Sequence, residues 1–296
     1  MQVVEQIRDL RLARGRLKGR VGAVYTMGAL HAGHRSLLDF ARAENDAVVA
    51  TIFVNPTQFG PGDDLASYPR TLDQDLALME AAGVDLAFLP VAAEMYPSGF
   101  QTSVSVEEAS QGLEGERRPG HFRGVASVVA KLFNLTQPDA AYFGQKDAQQ
   151  VVVLRRMVTD LNFPLEIVVC PTVREADGLA LSSRNVYLSP AERRSAAVIY
   201  RALMAAADAY EAGEREPAAL REAAHRVLAT EPMATVEYVA VNYPESLRGV
   251  LMPTDGPLLL SLAVQIGKPR LLDNLLLPAA LNTRDGLTAT LGAPLV

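Results

Sequence analysis

The 296-residue chain predicts an α/β fold, a Rossmann-like, doubly wound, mostly parallel sheet joined to a second, smaller α+β domain. Three observations predict it. Apolar runs alternate with amphipathic stretches from residue 21 to residue 170. One of those runs, 47–54, is almost continuously apolar, as a strand covered by helices on both faces must be. After Ser189-Pro190 the alternation stops, and helical then strand-like patterns follow in blocks.

Taken in order, strands are expected at 21–26, 47–54, 85–89, 140–143 and 165–170. Helical stretches fall between them near 35–44, 71–83, 122–136 and 147–161. In 122–136, Val125, Val128, Val129, Leu132, Phe133 and Leu135 recur at helical spacing. Residues 190–230, rich in Ala, Glu and Arg, read as two helices punctuated by Gly213 and Pro217. Strand-like runs follow at 235–243, 257–266 and 269–276. The expected domains are 1–174 and 175–296, with 278–296 as a weakly patterned tail outside the chemistry.

Composition narrows the function classes. Hydrophobic residues make up 49% and charged residues 21%, enough for a full core. A net charge of −6 argues against a non-specific nucleic-acid binder. No uncharged apolar stretch is long enough to span a bilayer, and the first residues lack the apolar segment of a secretion signal. The single cysteine, Cys170, ends an apolar run and reads as core, so neither an internal disulfide nor a Cys-rich zinc site is expected. The expected compartment is cytoplasmic, with neither a membrane nor a nucleic acid as partner. Walker-type, Gly-x-Gly-x-x-Gly and Gly-x-Ser-x-Gly patterns are absent from the sequence.

Five clusters carry the candidate chemistry. The first is Thr26-Met27-Gly28-Ala29-Leu30-His31-Ala32-Gly33-His34, between a strand and a helix. Ligands of open α/β sheets bind at such turns, glycines admit a close backbone, and a helix N-terminus favours an anion. The imidazoles of His31 and His34 can donate hydrogen bonds to phosphate and carry charge near neutral pH. His-x-Gly-His is the phosphate-handling signature of adenylyl- and nucleotidyl-transferring enzymes; two surface histidines near a turn is the plainer alternative.

The second cluster, Phe53 to Gly60, holds Gln58, whose amide suits a ligand bearing both hydroxyl and carboxylate. Taken alone it reads rather as a turn built by Asn55-Pro56 with Gln58 in solvent. The third, Tyr142 to Gln150, offers Gly144 for close approach, Lys146 for phosphate, Asp147 as a helix cap and Gln150 on the same side of that helix; a capped helix with a surface lysine explains it equally well. The fourth is the long loop Pro171 to Asn185, where Ser182, Ser183 and Arg184 suit polyphosphate oxygens and where an inter-domain linker is also expected. The fifth, Glu114 to Gly124, is basic and glycine-rich, and surface solvation is the stronger reading there. Asp73 and Asp75 are candidates for a hydrated Mg²⁺ near nucleotide phosphates, set against the solvated face of a helix.

Together these clusters resemble the pantothenate synthetase (pantoate–β-alanine ligase) family over roughly residues 20–275. The carrying pieces are Thr26 to His34, Phe53 to Phe59, Tyr68 to Thr71, Arg118 to Val125 and Gly178 to Asn185. The resemblance implies a homodimer with a closing C-terminal domain. It implies that ATP and pantoate, with Mg²⁺ and no tightly bound organic cofactor, give pantoyl adenylate and pyrophosphate. β-Alanine then gives pantothenate and AMP. Residue by residue, it implies that Met27, Gly28, Ala29, Leu30, His31, Ala32, Gly33 and His34 run along ATP, with His34 as proton donor. Gly144, Gln145, Lys146, Asp147, Val173, Leu181, Ser182, Ser183 and Arg184 also contact the nucleotide. Gln58 and Gln150 hold pantoate, and Gln58 borders the β-alanine site. His31, His34, Lys146 and Arg184 can be aimed at the charge that grows on phosphate oxygens. Three departures stand out: Tyr25 replaces a usual proline, Gln145 a usual glutamate, and the tail has no counterpart. A nucleotidyltransferase that leaves the nucleotide on its product is the rival enzyme, and a catalytically silent nucleotide-binding homologue the rival outside enzymes.

Overall fold

Residues 1–292 are described by a computed structural model. Among the described residues, nine strands and eleven α-helices alternate along the chain. The N-terminal part comprises β1 (Gln2–Val4), α1 (Ile7–Arg14), β2 (Val21–Thr26), α2 (Ala32–Glu44), β3 (Ala47–Ile52), α3 (Leu72–Ala81), β4 (Leu86–Phe88), α4 (Ala92–Met95), α5 (Leu113–Arg117), α6 (His121–Thr136), β5 (Ala140–Gly144), α7 (Ala148–Asp160) and β6 (Glu166–Cys170). The C-terminal part comprises α8 (Pro190–Ser195), α9 (Val198–Glu211), α10 (Pro217–Leu228), β7 (Ala234–Asn242), β8 (Leu258–Ile266), β9 (Arg270–Leu277) and α11 (Arg284–Leu287).

The first six strands form one sheet in the order β1-β4-β3-β2-β5-β6, and every pairing is parallel. The order reverses between β2 and β5, which pair through Gly22 with Ala140 and Ala23 with Ala141. Connections leave these two neighbours toward opposite sides, so a crevice opens beyond their carboxyl ends. The turns at 26–34 and 144–147 sit there. Helices cover both faces, so β3 is buried along its length except for half-buried Ile52. Cys170 lies in the core, as expected, and burial pushes its thiol up to about 12.

The second sheet is antiparallel, β7-β8-β9. Leu258, Leu260, Leu262 and Val264 on β8 pack with α9 and α10. Leu259 faces the other way and joins the core of the N-terminal part, as does Leu276 on β9. Both faces of β8 are therefore buried, which explains an apolar run broken only by Ser261 and Gln265.

Three readings are corrected. The edge strand β1 and helix α1 were not foreseen; three residues are too few to show a period, and the arginines of α1 mask its buried Leu10 and Ala13. The stretch 190–230 holds three helices, because Ser189 caps a separate short one with Glu192. Residues 278–292 are not a loose tail. Leu287 and Leu291 are fully buried, Thr288 Oγ1 accepts from Val169 N at 3.1 Å, and Arg155 donates to Thr290 O at 2.9 Å. Its later part packs on β6 and α7 of the N-terminal sheet, while Asn282 ties its start to Leu276 of β9 through Leu276 N at 2.9 Å and Leu276 O at 2.7 Å. Leu281, Leu287 and Leu291 stand at wide spacing and show no period because the segment folds as separate turns. Leu295, the fourth leucine after Pro278, lies outside the described residues.

Candidate active site

The turn after β2 is built by local constraints. Gly28 has φ +86° and Ala29 φ +51°, so the chain passes twice through the left-handed region. Asp75 on α3 holds it there. Its Oδ2 accepts from Ala29 N at 3.0 Å, and its Oδ1 from Leu30 N at 2.8 Å and Thr71 Oγ1 at 3.0 Å. Asp75 is 2% exposed with both oxygens engaged, while Asp73 lies on the exposed side of the same helix. The expected metal pair therefore does not form. Among the described residues no three His, Cys, Asp or Glu side chains converge as a metal site. These carboxylates do not fit a protein-held Mg²⁺.

His31 caps α2. Its Nδ1 accepts from Gly33 N at 3.1 Å, and the Nδ1 of His34 accepts from His31 N at 3.3 Å. The ring centroids are 4.2 Å apart. Accepting at Nδ1 puts the proton of each neutral ring on Nε2, which is left as donor. Burial, then the neighbouring His31, depresses His34 to about 3. Burial, then Lys146, depresses His31 to about 4. Burial thus favours the neutral form of both rings, with Nε2–H as the donor, over the charged form that an imidazole can take near neutral pH. Sequence could not show this, because the cause is desolvation.

Both rings line a cavity of about 300 Å³ between the two sheets. Met27 and Gly33 of the same turn line it too, whereas Gly28, Ala29, Leu30 and Ala32 do not. Gln58 and Gln150 line it as well. Gln58 is not in solvent. Its Oε1 accepts from Asn55 Nδ2 at 3.1 Å, and Asn55 Oδ1 accepts from Tyr96 OH at 2.7 Å. Asn55 also donates to Gly124 O at 3.2 Å, where α6 comes so close that a Cβ at 124 would stand 2.4 Å from Thr57 O.

From the third cluster, Gly144, Lys146 and Asp147 line the cavity. Gln145 does not. Its side chain is buried and donates to Asn282 Oδ1 at 2.6 Å, so segment 278–292 touches the site's scaffold, contrary to expectation. Val173, Leu181, Ser182, Ser183 and Arg184 line the opposite wall. Arg184 is already paired: its Nε and Nη2 reach the two oxygens of Asp64 at 3.0 and 2.9 Å. Tyr187 OH donates to Ser67 O at 2.7 Å, so the 60–68 loop is strapped to this wall.

The fifth cluster is divided: Glu114, Arg118, His121 and Phe122 line the cavity, whereas Glu116, Arg117 and Arg123 are exposed as surface solvation predicts. His121 Nδ1 donates to Gln58 O at 2.9 Å, and Arg118 pairs with Asp63 at 2.8 Å. Glu114 binds Arg270 of β9 and accepts from Tyr238 OH at 2.9 Å. Sequence reasoning missed the C-terminal contributors Tyr238, Ser261, Arg270, Asp273 and Asn274, all of which line the cavity. The available signal was the polar residues interrupting two apolar strands. Tyr25, in place of proline, sends its hydroxyl to Thr136 Oγ1 at 2.7 Å and leaves the turn intact.

A family model described as pantoate-beta-alanine ligase matches residues 2–276. The chain belongs to this family. Among its relatives, the pantothenate synthetase of Roseiflexus sp. (strain RS-1) is 57% identical over 279 residues, covering 94% of this chain and 100% of the relative. That of Chloroflexus aggregans is 58% identical over 277 residues, with the same coverage. The crystal structure of pantothenate synthetase from Thermus thermophilus superposes with a TM-score of 0.89 at 50% identity, over 93% of this chain and 99% of the other. The family enzyme of Francisella tularensis, complexed with β-γ ATP and β-alanine, gives a TM-score of 0.75 at 35% identity, over 93% and 97%. The rival readings, a nucleotidyltransferase and a silent homologue, find no support in these relatives.

Proposed function

We propose that the chain condenses pantoate with β-alanine at the expense of ATP, giving pantothenate, AMP and pyrophosphate. The observation that carries this reading is one cavity lined by His31, His34 and Lys146 together with the amides of Gln58 and Gln150. Family membership supplies the substrates.

In the first step a carboxylate oxygen of pantoate attacks the α-phosphorus, and the bond to the β-phosphate oxygen breaks. Negative charge grows on the non-bridging and leaving oxygens. The Nε2–H of His34 and of His31 donates to it, and Lys146 adds a full charge. One such donor contributes about 3 kcal/mol of barrier lowering. A neutral imidazole serves here as a hydrogen-bond donor to the growing charge, because the cap holds its other nitrogen as an acceptor. In the second step the β-alanine amine attacks the acyl carbon, AMP leaves, and the amine loses a proton. The C-terminal wall keeps water from the mixed anhydride between the steps.

Met27, Gly33, Gly144, Asp147, Val173 and Leu181 to Arg184 border the nucleotide in this reading. Gln58 and Gln150 hold pantoate, and Gln58 also borders β-alanine. ATP enters as its Mg²⁺ complex, with the metal carried on phosphate oxygens. Arg184 exchanges Asp64 for phosphate as ATP enters. We also propose a cytoplasmic homodimer; the family resemblance supports the dimer, and the single buried thiol suits a reducing compartment. Among the described residues no helix is long and apolar enough to cross a membrane.

Product analysis tests the reading. With MgATP, pantoate and β-alanine the purified protein should release free AMP and an amide in equal amounts. A nucleotide retained on the organic product would overturn it.

A further inference from the structure

We infer that Asn274 is a positioning residue for Lys146, delivered by the C-terminal sheet to the nucleotide turn of the N-terminal sheet. The inference rests on the reading that Lys146 meets the phosphates of ATP.

Asn274 sits on β9 and is 3% exposed. Its Nδ2 donates to Gln145 O and to Lys146 O, each at 3.0 Å. Those carbonyls belong to the short turn between β5 and α7, so one amide group fixes the backbone from which the Lys146 side chain springs. The next residue back completes a relay. Asp273 Oδ1 accepts from Asn274 N at 2.8 Å and from Arg174 Nη2 at 2.9 Å. Arg174 lies over the Tyr200 ring at 4.4 Å, in the loop that leads to Ser182, Ser183 and Arg184. Hydrogen bonds therefore run from the phosphate-facing loop through β9 to the Lys146 turn.

Core packing does not call for an amide here. β8 and β9 are otherwise apolar where they are buried, apart from Asp273 and one further residue, Ser261. Ser261 is the direct cross-strand partner of Asn274 and is 7% exposed. Ser261 Oγ and Asn274 Oδ1 are both buried without a partner, and both residues line the cavity. A leucine, with the same branching at Cγ, would avoid burying an unpaired Oδ1 but would leave Gln145 O and Lys146 O without this donor. The amide is placed where it orders the lysine turn.

Coupling distinguishes positioning from general support. The affinity for MgATP, without pantoate, is measured calorimetrically for wild type, Asn274→Leu, Lys146→Ala and the double variant. If Asn274 acts through Lys146, Asn274→Leu weakens binding about tenfold in wild type and less than about twofold when Lys146 is absent. Equal losses in both backgrounds, or no loss, overturn the inference. Should Asn274→Leu fail to fold, Asn274→Ala enters the same cycle with the same criteria. A wild-type chain that binds MgATP but makes no pantothenate overturns the proposed function and leaves this cycle decisive. A wild-type chain that does not bind MgATP overturns both.

Discussion

At the scale of the residue, the proposed reaction uses the two histidines as neutral donors. His34→Ala removes one donor from the phosphate and should lower the adenylation rate by about a hundredfold or more, measured by single-turnover formation of the adenylate. The fold should persist, since the ring meets backbone only at His31 N. Near-normal turnover would remove His34 from the role. Neutrality also has a stability signature. The folded pKa values of His31, His34 and His121 are depressed to about 4, 3 and 4, chiefly by burial. Below pH 6.5 the unfolded chain takes up protons that the folded chain refuses. Their contribution is therefore complete above about pH 6.5 and is lost as pH falls toward 4. Each such histidine costs about 1.4 kcal/mol per pH unit across that window. Urea unfolding at pH 7 and pH 5 should show a loss that shrinks in His34→Asn; an unchanged loss would mean that His34 titrates normally. The identity of these residues was legible in His-x-Gly-His, but their protonation was not, because it depends on what the fold stacks above them. Asp75 shows the same limit in reverse. A carboxylate near a phosphate site suggests a metal, yet this one is consumed by two amides of a strained turn.

At the scale of the element, strands and helices of the parallel sheet were readable because burial on both faces leaves continuous apolar runs. What escaped were pieces too short or too mixed to show a period: β1, α1 and the segment after β9. That last segment carries the larger consequence. Truncation after Leu277 removes two fully buried leucines and an acceptor of the buried Arg155 guanidinium. It should cost roughly 4 kcal/mol or more, a drop of about 10 °C in Tm, in place of the neutral outcome that sequence pattern suggests. An unchanged melting curve would show that the packing adds nothing. A second element test is Gly124→Ala on α6. The new methyl would press on Thr57 O and Gln58 Cα, both backbone, so the 55–58 turn must move. Loss of about 1–3 kcal/mol is expected together with weaker pantoate use. A variant with wild-type pantoate KM would mean that Gln58 does not depend on this contact.

At the scale of the whole molecule, the site is a seam between two sheets. The N-terminal half of it was legible, because its residues stand at strand ends in recognisable clusters. The C-terminal half was not. Tyr238, Ser261, Arg270, Asp273 and Asn274 are polar residues scattered over three strands, and only the tertiary fold brings them to one cavity. The fifth cluster was misjudged in part for the same reason: Glu114 reads as a surface charge until Arg270 and Tyr238 close over it. Substrate discrimination belongs to this scale too. Gln58→Ala and Gln150→Ala should each raise the pantoate KM at least tenfold with little change in MgATP affinity, since each truncation leaves a substrate group unpaired in a partly dry pocket. Falling ATP affinity at constant pantoate KM would assign them to the nucleotide instead. The central claim is an acyl adenylate made and kept within this seam. Exchange of labelled pyrophosphate into ATP, with pantoate present and β-alanine withheld, tests it most directly. The account predicts exchange that depends on pantoate. No exchange, from protein that still makes pantothenate when β-alanine is added, would contradict it.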